Sequence, residues 1–371
     1  MLAHLWSSCA QQKRLCYATS MHILGIETSC DDTSIAVVDV GRTGFAVQSM
    51  VTASQVLTHQ KTGGVVPEVA AREHAATIMP TLMEALRRAR KSLAAIDAIA
   101  VTSGPGLSTA LLVGVETART LAFATGKTLI GVNHIAGHVA SAWLGPIVPK
   151  LPALALVVSG GHTELLWIAP TKNTATRLPQ GIHGWGKVSL IGCTRDDAAG
   201  EAFDKTAKML GLPYPGGPAL SKLAERGKPN IDLPRPMLHE ANAEFSFAGL
   251  KTAVRRYLEL HPKLTLQQRA NLAASVQQAI VDVLVGKTVR EVKTRKPASV
   301  ILGGGVAANA PLRSALGKAL LPEHTPLHVA PLAYTMDNGA MIAVAGAFSL
   351  AAGHRTPWDK IEVDPMWELG R

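Results

Sequence analysis

The sequence predicts an α/β protein of two related lobes that face each other across a cleft. Three observations support this expectation. Segments of strand character alternate with helical ones along most of the chain. Two β-branched strands around a polar turn open the first half, at 22–27 and 34–40, and a similar pair around a two-glycine turn opens the second, at 153–158 and 163–169. Between them lies a proline-rich piece, 145–152, with Pro146, Pro149 and Pro152, where the chain is expected to cross from one lobe to the other.

In chain order, the turn Thr28–Thr33 separates the first two strands, and a third strand is expected at 45–52. Gly63 and Gly64 open a long helical stretch ending in the basic run Arg87, Arg88, Arg90 and Lys91. Pro80 should interrupt it, because proline lacks the N–H and its ring crowds the preceding turn. Strand 97–102, the turn Gly104-Pro105-Gly106, helix 108–124 and strand 128–132 follow, and a short helix after Asn133 carries His134 and His138. Beyond the second hairpin, helices are expected near 198–210, 218–226, 247–259 and 266–293. Strand 299–303, helix 310–320, strand 327–330 and a small-residue helix 338–352 close the chain. The expected organisation is a first lobe of 21–152, to which 338–371 return, and a second lobe of 153–337.

Apolar residues make up 47% of the 371 and charged ones 17%, which excludes a disordered chain and suffices for a sizeable core. No uninterrupted apolar run reaches the roughly 18 residues of a membrane-spanning helix, so membrane insertion is not expected. Four Cys in a chain of this length exclude a disulfide scaffold; Cys30 and Cys193 are expected as thiols. The net charge of +10 favours a polyanionic partner. Residues 1–20 contain Lys13, Arg14 and several hydroxyl residues but no acid, the composition of an organellar transit peptide; an ordinary frayed terminus is the alternative.

Two glycine turns follow apolar strands. In Val157-Val158-Ser159-Gly160-Gly161 the missing Cβ atoms let backbone N–H groups crowd an anion, and Ser159 adds a hydroxyl. Gly303-Gly304-Gly305 leads through Asn309 into a helix N-terminus, where free N–H groups and the helix dipole favour negative charge. Together they suggest a nucleotide or phosphate site, although each alone is compatible with plain loop chemistry, and neither has the Lys-Ser/Thr of a Walker loop.

His134 and His138 stand four apart on one helix face, a spacing that suits two ligands to one metal ion and also arises by chance among 13 His. Ile135 occupies the place where a zinc protease needs Glu, which excludes that hydrolytic class. Asp337 can return to the cleft as a third ligand or cap the last helix. Asp196 and Asp197 read as helix-start acids, whereas Asp204 lies too far in for that and suits a hold on a ribose or alcohol. Glu27, ending the first strand, is a candidate base or a turn cap. Between 246 and 296, ten Lys or Arg face three acids, either as a solvated face or as a phosphate-backbone surface.

These residues, in this order, resemble the tRNA N6-adenosine threonylcarbamoyltransferase family, and the leader is similar to that of its mitochondrial branch, formerly labelled O-sialoglycoprotein endopeptidase-like. The likeness spans about 22–352 and rests on Gly25–Thr33, Gly63–Glu68, Gly104–Leu107, Asn133–His138, Ser159–Thr163, Asp196–Lys205, Tyr214–Pro218, Phe245–Lys251, Gly303–Asn309 and Asp337–Gly339. The resemblance implies an actin-like two-lobed fold of the kind shared by Hsp70 and sugar kinases. It implies one divalent metal ion, iron or zinc among the candidates, on His134, His138 and Asp337. It implies a threonylcarbamoyl-AMP donor held by Val157, Val158, Ser159, Gly160, Gly161, Asp204, Gly217 and Asn309. Ser221 departs from relatives that place an acid on the ribose there.

The implied reaction transfers the threonylcarbamoyl group to the N6 amine of the adenosine 3′ of the anticodon in tRNAs reading ANN codons, releasing AMP; the resemblance supplies no base, and Glu27, from its place at the end of the first strand, is the expected proton acceptor. Partners implied are tRNA, a threonylcarbamoyl-adenylate synthase and a second copy of the chain, in the mitochondrial matrix. A small-molecule kinase of the same superfamily is the alternative enzyme, and a non-catalytic nucleotide-dependent binding protein is the third reading. The kinase leaves the His pair and the basic segment unused.

Overall fold

The computed structural model describes residues 20–41, 44–171 and 185–371, so the expected leader, with Cys9 and Cys16, lies outside the described residues apart from Ser20. The first half runs β1 (Met21–Glu27), β2 (Asp32–Gly41), β3 (Gly44–Ser54), α1 (Val56–Thr62), α2 (Pro67–Ala89), β4 (Ala98–Gly104), α3 (Ser108–Thr125), β5 (Thr128–Asn133) and α4 (His134–Ala140). The second runs β6 (Ala153–Val158), β7 (Thr163–Pro170), β8 (Trp185–Cys193), α5 (Ala199–Met209), α6 (Gly216–Ala224), α7 (Ala248–Leu260), α8 (Leu266–Arg295), β9 (Ser299–Gly303), α9 (Ala310–Leu320), β10 (Leu327–Val329) and α10 (Gly339–Ala351). The two sheets have strand orders β3-β2-β1-β4-β5 and β8-β7-β6-β9-β10. Each is an antiparallel meander whose first strand is central and pairs in parallel with a later strand. The duplication, faint in the letters, is plain in the pairing.

Alternation along the central strands builds a layered molecule. In β6, Leu154, Leu156 and Val158 enter one core with α5–α9, while Ala153, Ala155 and Val157 enter another with α4 and α10. In β1, Leu24 and Ile26 face α2 and α3, and Met21 and Ile23 face the same α4–α10 layer. The core around α4 and α10 therefore receives side chains from both sheets. Helix α10, almost entirely small and apolar, is buried along nearly its whole length there. Helix α8 is long and apolar enough by composition to cross a membrane, but 67% of its most apolar window is buried inside this fold, the signature of a core helix.

Two expectations fail locally. Pro80 does not interrupt α2, which is continuous from Pro67 to Ala89 with Pro80 exposed; packing of its buried face against β2 and β3 outweighs one missing hydrogen bond. Helix α1 and strand β8 lie outside the elements expected from the sequence. Half-buried β8 lacks a clean alternation, and its pairing to β7 shifts register twice. After α10, the tail follows the first sheet, where Thr356 N donates to Leu129 O and Asp364 N to Ser103 O. It then crosses to the second, where Leu190 N donates to Gly370 O.

The tightest contact in the layer is backbone on backbone. A Cβ on Gly25 would stand 2.0 Å from Gly339 O, and one on Gly339 would stand 2.6 Å from Gly25 O and 2.7 Å from Ala36 N. Helix α10 thus seats its first residue directly on β1. Gly339→Ala should cost stability at or above the upper end of the roughly 1–3 kcal/mol typical of overpacking, because only strand backbone could yield. Calorimetry should show a melting point lowered by several degrees. An unchanged midpoint would mean the contact tolerates a methyl group.

Candidate metal and donor site

Strand β5 ends at Asn133, whose side chain caps α4 by accepting from Ile135 N and Ala136 N, and α4 begins at once with His134. The same Asn133 donates through Nδ2 to Trp367 O of the tail at 3.0 Å. The spacing of His134 and His138 puts both rings on one side, with centroids 4.6 Å apart. Opposite them, Asp337 stands just before α10. The cap of that helix is Asn338, which accepts from Met341 N, so Asp337 is free of capping. His134 Nε2 lies 3.6 Å and His138 Nε2 3.2 Å from Asp337 Oδ1.

One ligand atom from each of these three residues falls within 4.8 Å of the others. Both His138 ring nitrogens are buried without a well-formed hydrogen bond. Buried orphan nitrogens are costly unless something else satisfies them. Two imidazoles and a carboxylate converging on one point are the donor set of a divalent transition metal, so the residues fit the metal that the sequence implied.

Glu27 lies behind His134 and is fully buried. It accepts from Ser29 N at 2.5 Å, Thr102 Oγ1 at 2.6 Å and His134 Nδ1 at 3.0 Å. Burial alone would raise its pKa, but the His134 imidazole beside it holds the carboxyl below its ordinary value. Burial likewise opposes charge on His134, yet Glu27 and Asp337 push it up to about 9. Burial would also raise Asp337, and His134 and His138 more than reverse this, well below the usual carboxylate range. The expected role of Glu27 as proton acceptor does not match this position. Enclosed and triply engaged, it sits on the Nδ1 side of His134, which leaves Nε2 facing the cluster.

The β6–β7 turn faces the cluster from the second sheet. Ser159 N donates to His162 O at 2.8 Å and His162 N to Ser159 Oγ at 3.2 Å, closing the tip. Gly160 and Gly161 have open space where a Cβ would stand. Val157 and Val158 bury their side chains in the two cores, so only their backbone can serve a ligand. His162 carries no assigned role in the sequence. Burial, then His134 and His138, push it down to about 4, so a neutral imidazole faces the histidine pair.

Asp204, Gly217 and Asn309 are joined through α6. Asp204 Oδ1 accepts from Gly217 N at 2.9 Å, and burial raises its pKa, moderated by that bond. Asn309 caps α9, accepting from Leu312 N, and donates to Ser221 Oγ at 2.9 Å and Gln277 Oε1 at 3.0 Å. Ser221, which departs from the acid of some relatives, thus supports Asn309.

The helix-start reading of the neighbouring acids is corrected, since α5 has no side-chain cap. Asp196 instead accepts from Phe247 N and Ala248 N, at the start of α7, and Asp197 binds Lys205 and Lys251. The basic segment is also dispersed. Lys251 pairs with Asp197, Lys293 with Glu323 and Arg295 with Glu291, while Arg269, Lys287 and Arg290 donate to backbone carbonyls. Arg255, Arg256 and Lys263 remain exposed on α7 and the turn after it, as does Lys296 at the end of α8.

The fold and site define a two-lobed α/β protein of the actin-like class with a His-His-Asp cluster between its sheets. HypF from T. kodakarensis shares this fold at a TM-score of 0.56 and 16% identity, over 90% of this chain and 48% of that one. Residues 46–344 match the family model for TsaD, tRNA N6-adenosine threonylcarbamoyltransferase, and the chain belongs to that family. It is 46% identical over 349 residues to the tRNA N6-adenosine threonylcarbamoyltransferase of Anaeromyxobacter dehalogenans, covering 94% of this chain and 99% of that protein. To the protein of the same name from Geobacillus kaustophilus it is 49% identical over 345 residues, covering 90% and 93%.

Because His134 and His138 are both buried, replacing either should cost some packing as well as a ligand. His134→Ala and His138→Ala should each lower bound metal, by elemental analysis of purified protein, while circular dichroism retains the folded spectrum. Full metal occupancy in the double variant would remove the pair from the site.

Proposed function

We propose that this chain transfers a threonylcarbamoyl group from threonylcarbamoyl-AMP to the N6 amine of the adenosine 3′ of the anticodon in tRNAs reading ANN codons. The observation that carries this reading is the meeting of a His-His-Asp cluster with an open two-glycine turn inside a fold whose curated relatives bear that activity's name. The amine attacks the carbamoyl carbon, the bond from that carbon to the phosphate oxygen breaks, AMP leaves, and the proton lost by the amine passes to solvent. Backbone N–H groups of Gly160 and Gly161 offset charge growing on the departing phosphate. Gly217, Asn309 and Asp204 hold the nucleoside end, and Glu27 keeps His134 in register. Iron or zinc suits the donor set and, when bound, would polarise the carbamoyl oxygen.

The kinase alternative is not favoured, since no relative named above carries a kinase name and that chemistry leaves His134 and His138 without a task. Incubating the purified chain with ATP, threonine, bicarbonate, a donor-making synthase and unmodified tRNA decides between them. Modified adenosine in the digested tRNA supports transfer, whereas ATP turnover on a small metabolite would support the kinase.

The chain acts as a homodimer in this reading. Met79 and Met83, one turn apart on α2, are 48% and 68% exposed, and Leu112 on neighbouring α3 is 49% exposed, an apolar face that a second copy would cover. Sedimentation of the purified chain as a monomer would count against it. The leader directs the chain to the mitochondrial matrix, on the strength of its composition. A version starting at Met21 should keep catalysis and lose import, and its arrival in mitochondria would contradict the assignment.

The tRNA backbone is held by Arg255, Arg256 and Lys263, exposed on α7 and the turn after it. Phosphate binding by Lys and Arg releases counterions, so affinity should fall steeply with salt, and each ion pair removed should flatten the log–log slope by about 0.7–0.9. Arg255→Glu with Arg256→Glu should weaken all tRNAs alike and spare donor binding. Equal slopes and affinities for variant and parent would send the search to Arg87, Arg88, Arg90 and Lys91.

A further inference from the structure

Tyr214 joins the lobes across the cleft through both its side chain and its backbone. Tyr214 lies between α5 and α6, just ahead of Gly216 and Gly217. Its phenol donates to Asp31 Oδ2 at 3.1 Å, and its carbonyl accepts from Gln60 Nε2 at 2.9 Å. Asp31 belongs to the turn between β1 and β2, and Gln60 to α1, both in the first lobe. Burial, then the Asp31 carboxylate, raise the phenol's pKa, so it stays a donor at any working pH.

Both ends of this bridge lead to the site. Two residues before Asp31, Ser29 Oγ stands 3.1 Å from His134 Nδ1, and Ser29 N donates to Glu27. Three residues after Tyr214, Gly217 N donates to Asp204 Oδ1. Asp31 is itself fixed, its carbonyl accepting from Gln55 N at the start of α1. A path therefore runs Asp204, Gly217, Tyr214, Asp31, Ser29, His134, crossing from one lobe to the other at the Tyr214 phenol.

We propose that Tyr214 is a positioning residue that latches the cleft. Its hydroxyl draws the first turn of α6 toward the β1–β2 turn, sets the spacing between the donor residues and the His134–His138–Asp337 cluster, and releases when the cleft opens for the donor. The kinetic part of this inference rests on the transfer reaction proposed above; the latch itself does not.

Tyr214→Phe removes the hydroxyl and keeps the ring, and Asp31→Asn keeps the shape of the acceptor while removing its charge. Hydrogen–deuterium exchange on the donor-free protein reads the latch without any activity. In either variant, peptides covering 28–32 and 210–218 should exchange about tenfold faster together, the scale of one hydrogen bond to a charged group, while β6 and α10 stay protected. With donor and tRNA, KM for the donor should rise about tenfold and kcat at saturation should change less than about twofold. The double variant should be no more impaired than the worse single one, since both delete the same bond.

Unchanged exchange at 28–32 in Tyr214→Phe, or additive effects in the double variant, would overturn the latch. A parent chain that forms no modified adenosine while its variants show the coupled exchange would instead sink the reaction and leave the latch standing.

Discussion

The site depends on one close approach, the backbone of α10 resting on the backbone of β1 at Gly339 and Gly25. No side chain intervenes, so the start of α10 is held against a central strand by contacts that cannot rearrange without moving the sheet. Two residues from Gly25 along β1 is Glu27, and two residues before Gly339 is Asp337. Gly339 N also donates to Ser34 Oγ at 3.1 Å, and Ser34 is the register partner of Glu27 on β2. The same contact therefore fixes both carboxylates that flank His134.

That arrangement explains how the centre carries charge. Between fully buried Glu27 and part-exposed Asp337, the His134 imidazole is held toward its charged form, although its own burial opposes that. Glu27 takes the Nδ1 side of His134, which leaves Nε2 facing Asp337 and His138. His138 has only Asp337 near its Nε2 and no well-formed hydrogen bond at either nitrogen, which marks where a cation would do the most good. The small residues of α4 and α10 allow this proximity: a Cβ on Gly137 would stand 2.7 Å from Ile342 Cδ1.

Polar residues in the second lobe serve the architecture around the donor residues as much as any ligand. Asp196 ties the start of α7 to the loop before α5, Asp197 gathers Lys205 and Lys251, and Asn309 links α9 to α6 and α8. Helix α6 is held at its first turn by Asp204 and farther along by Asn309, so a displacement of either would be felt at Gly217. This second-lobe frame meets the first lobe at Tyr214 as well as at the His-His-Asp cluster.

Much of this was legible in the sequence because it is local. The alternation of β1 and β6, the glycine turns between strands, and the four-residue spacing of His134 and His138 are short-range patterns, and each appears in the structure where the residues placed it. Strand β8 was not legible, because a half-buried strand with shifted register carries no clean alternation. Pro80 misled because the energy that keeps α2 continuous comes from packing against β2 and β3. The acids at 196 and 197 and the basic segment misled for a related reason. Charge counts along a chain do not reveal which charges pair, and Lys251, Lys287, Arg290 and Arg295 are engaged by partners that sequence distance hides or that neutralise them locally. Residue types and local spacing alone determined the two-lobed α/β class and named the metal-binding candidates. Only the tertiary structure decided that Glu27 stands behind His134, that Asp337 faces the pair while Asn338 does the capping, and that Tyr214 spans the cleft. Each of those outcomes depends on two segments more than a hundred residues apart meeting within hydrogen-bond range, and that is set by how the sheets and α10 pack.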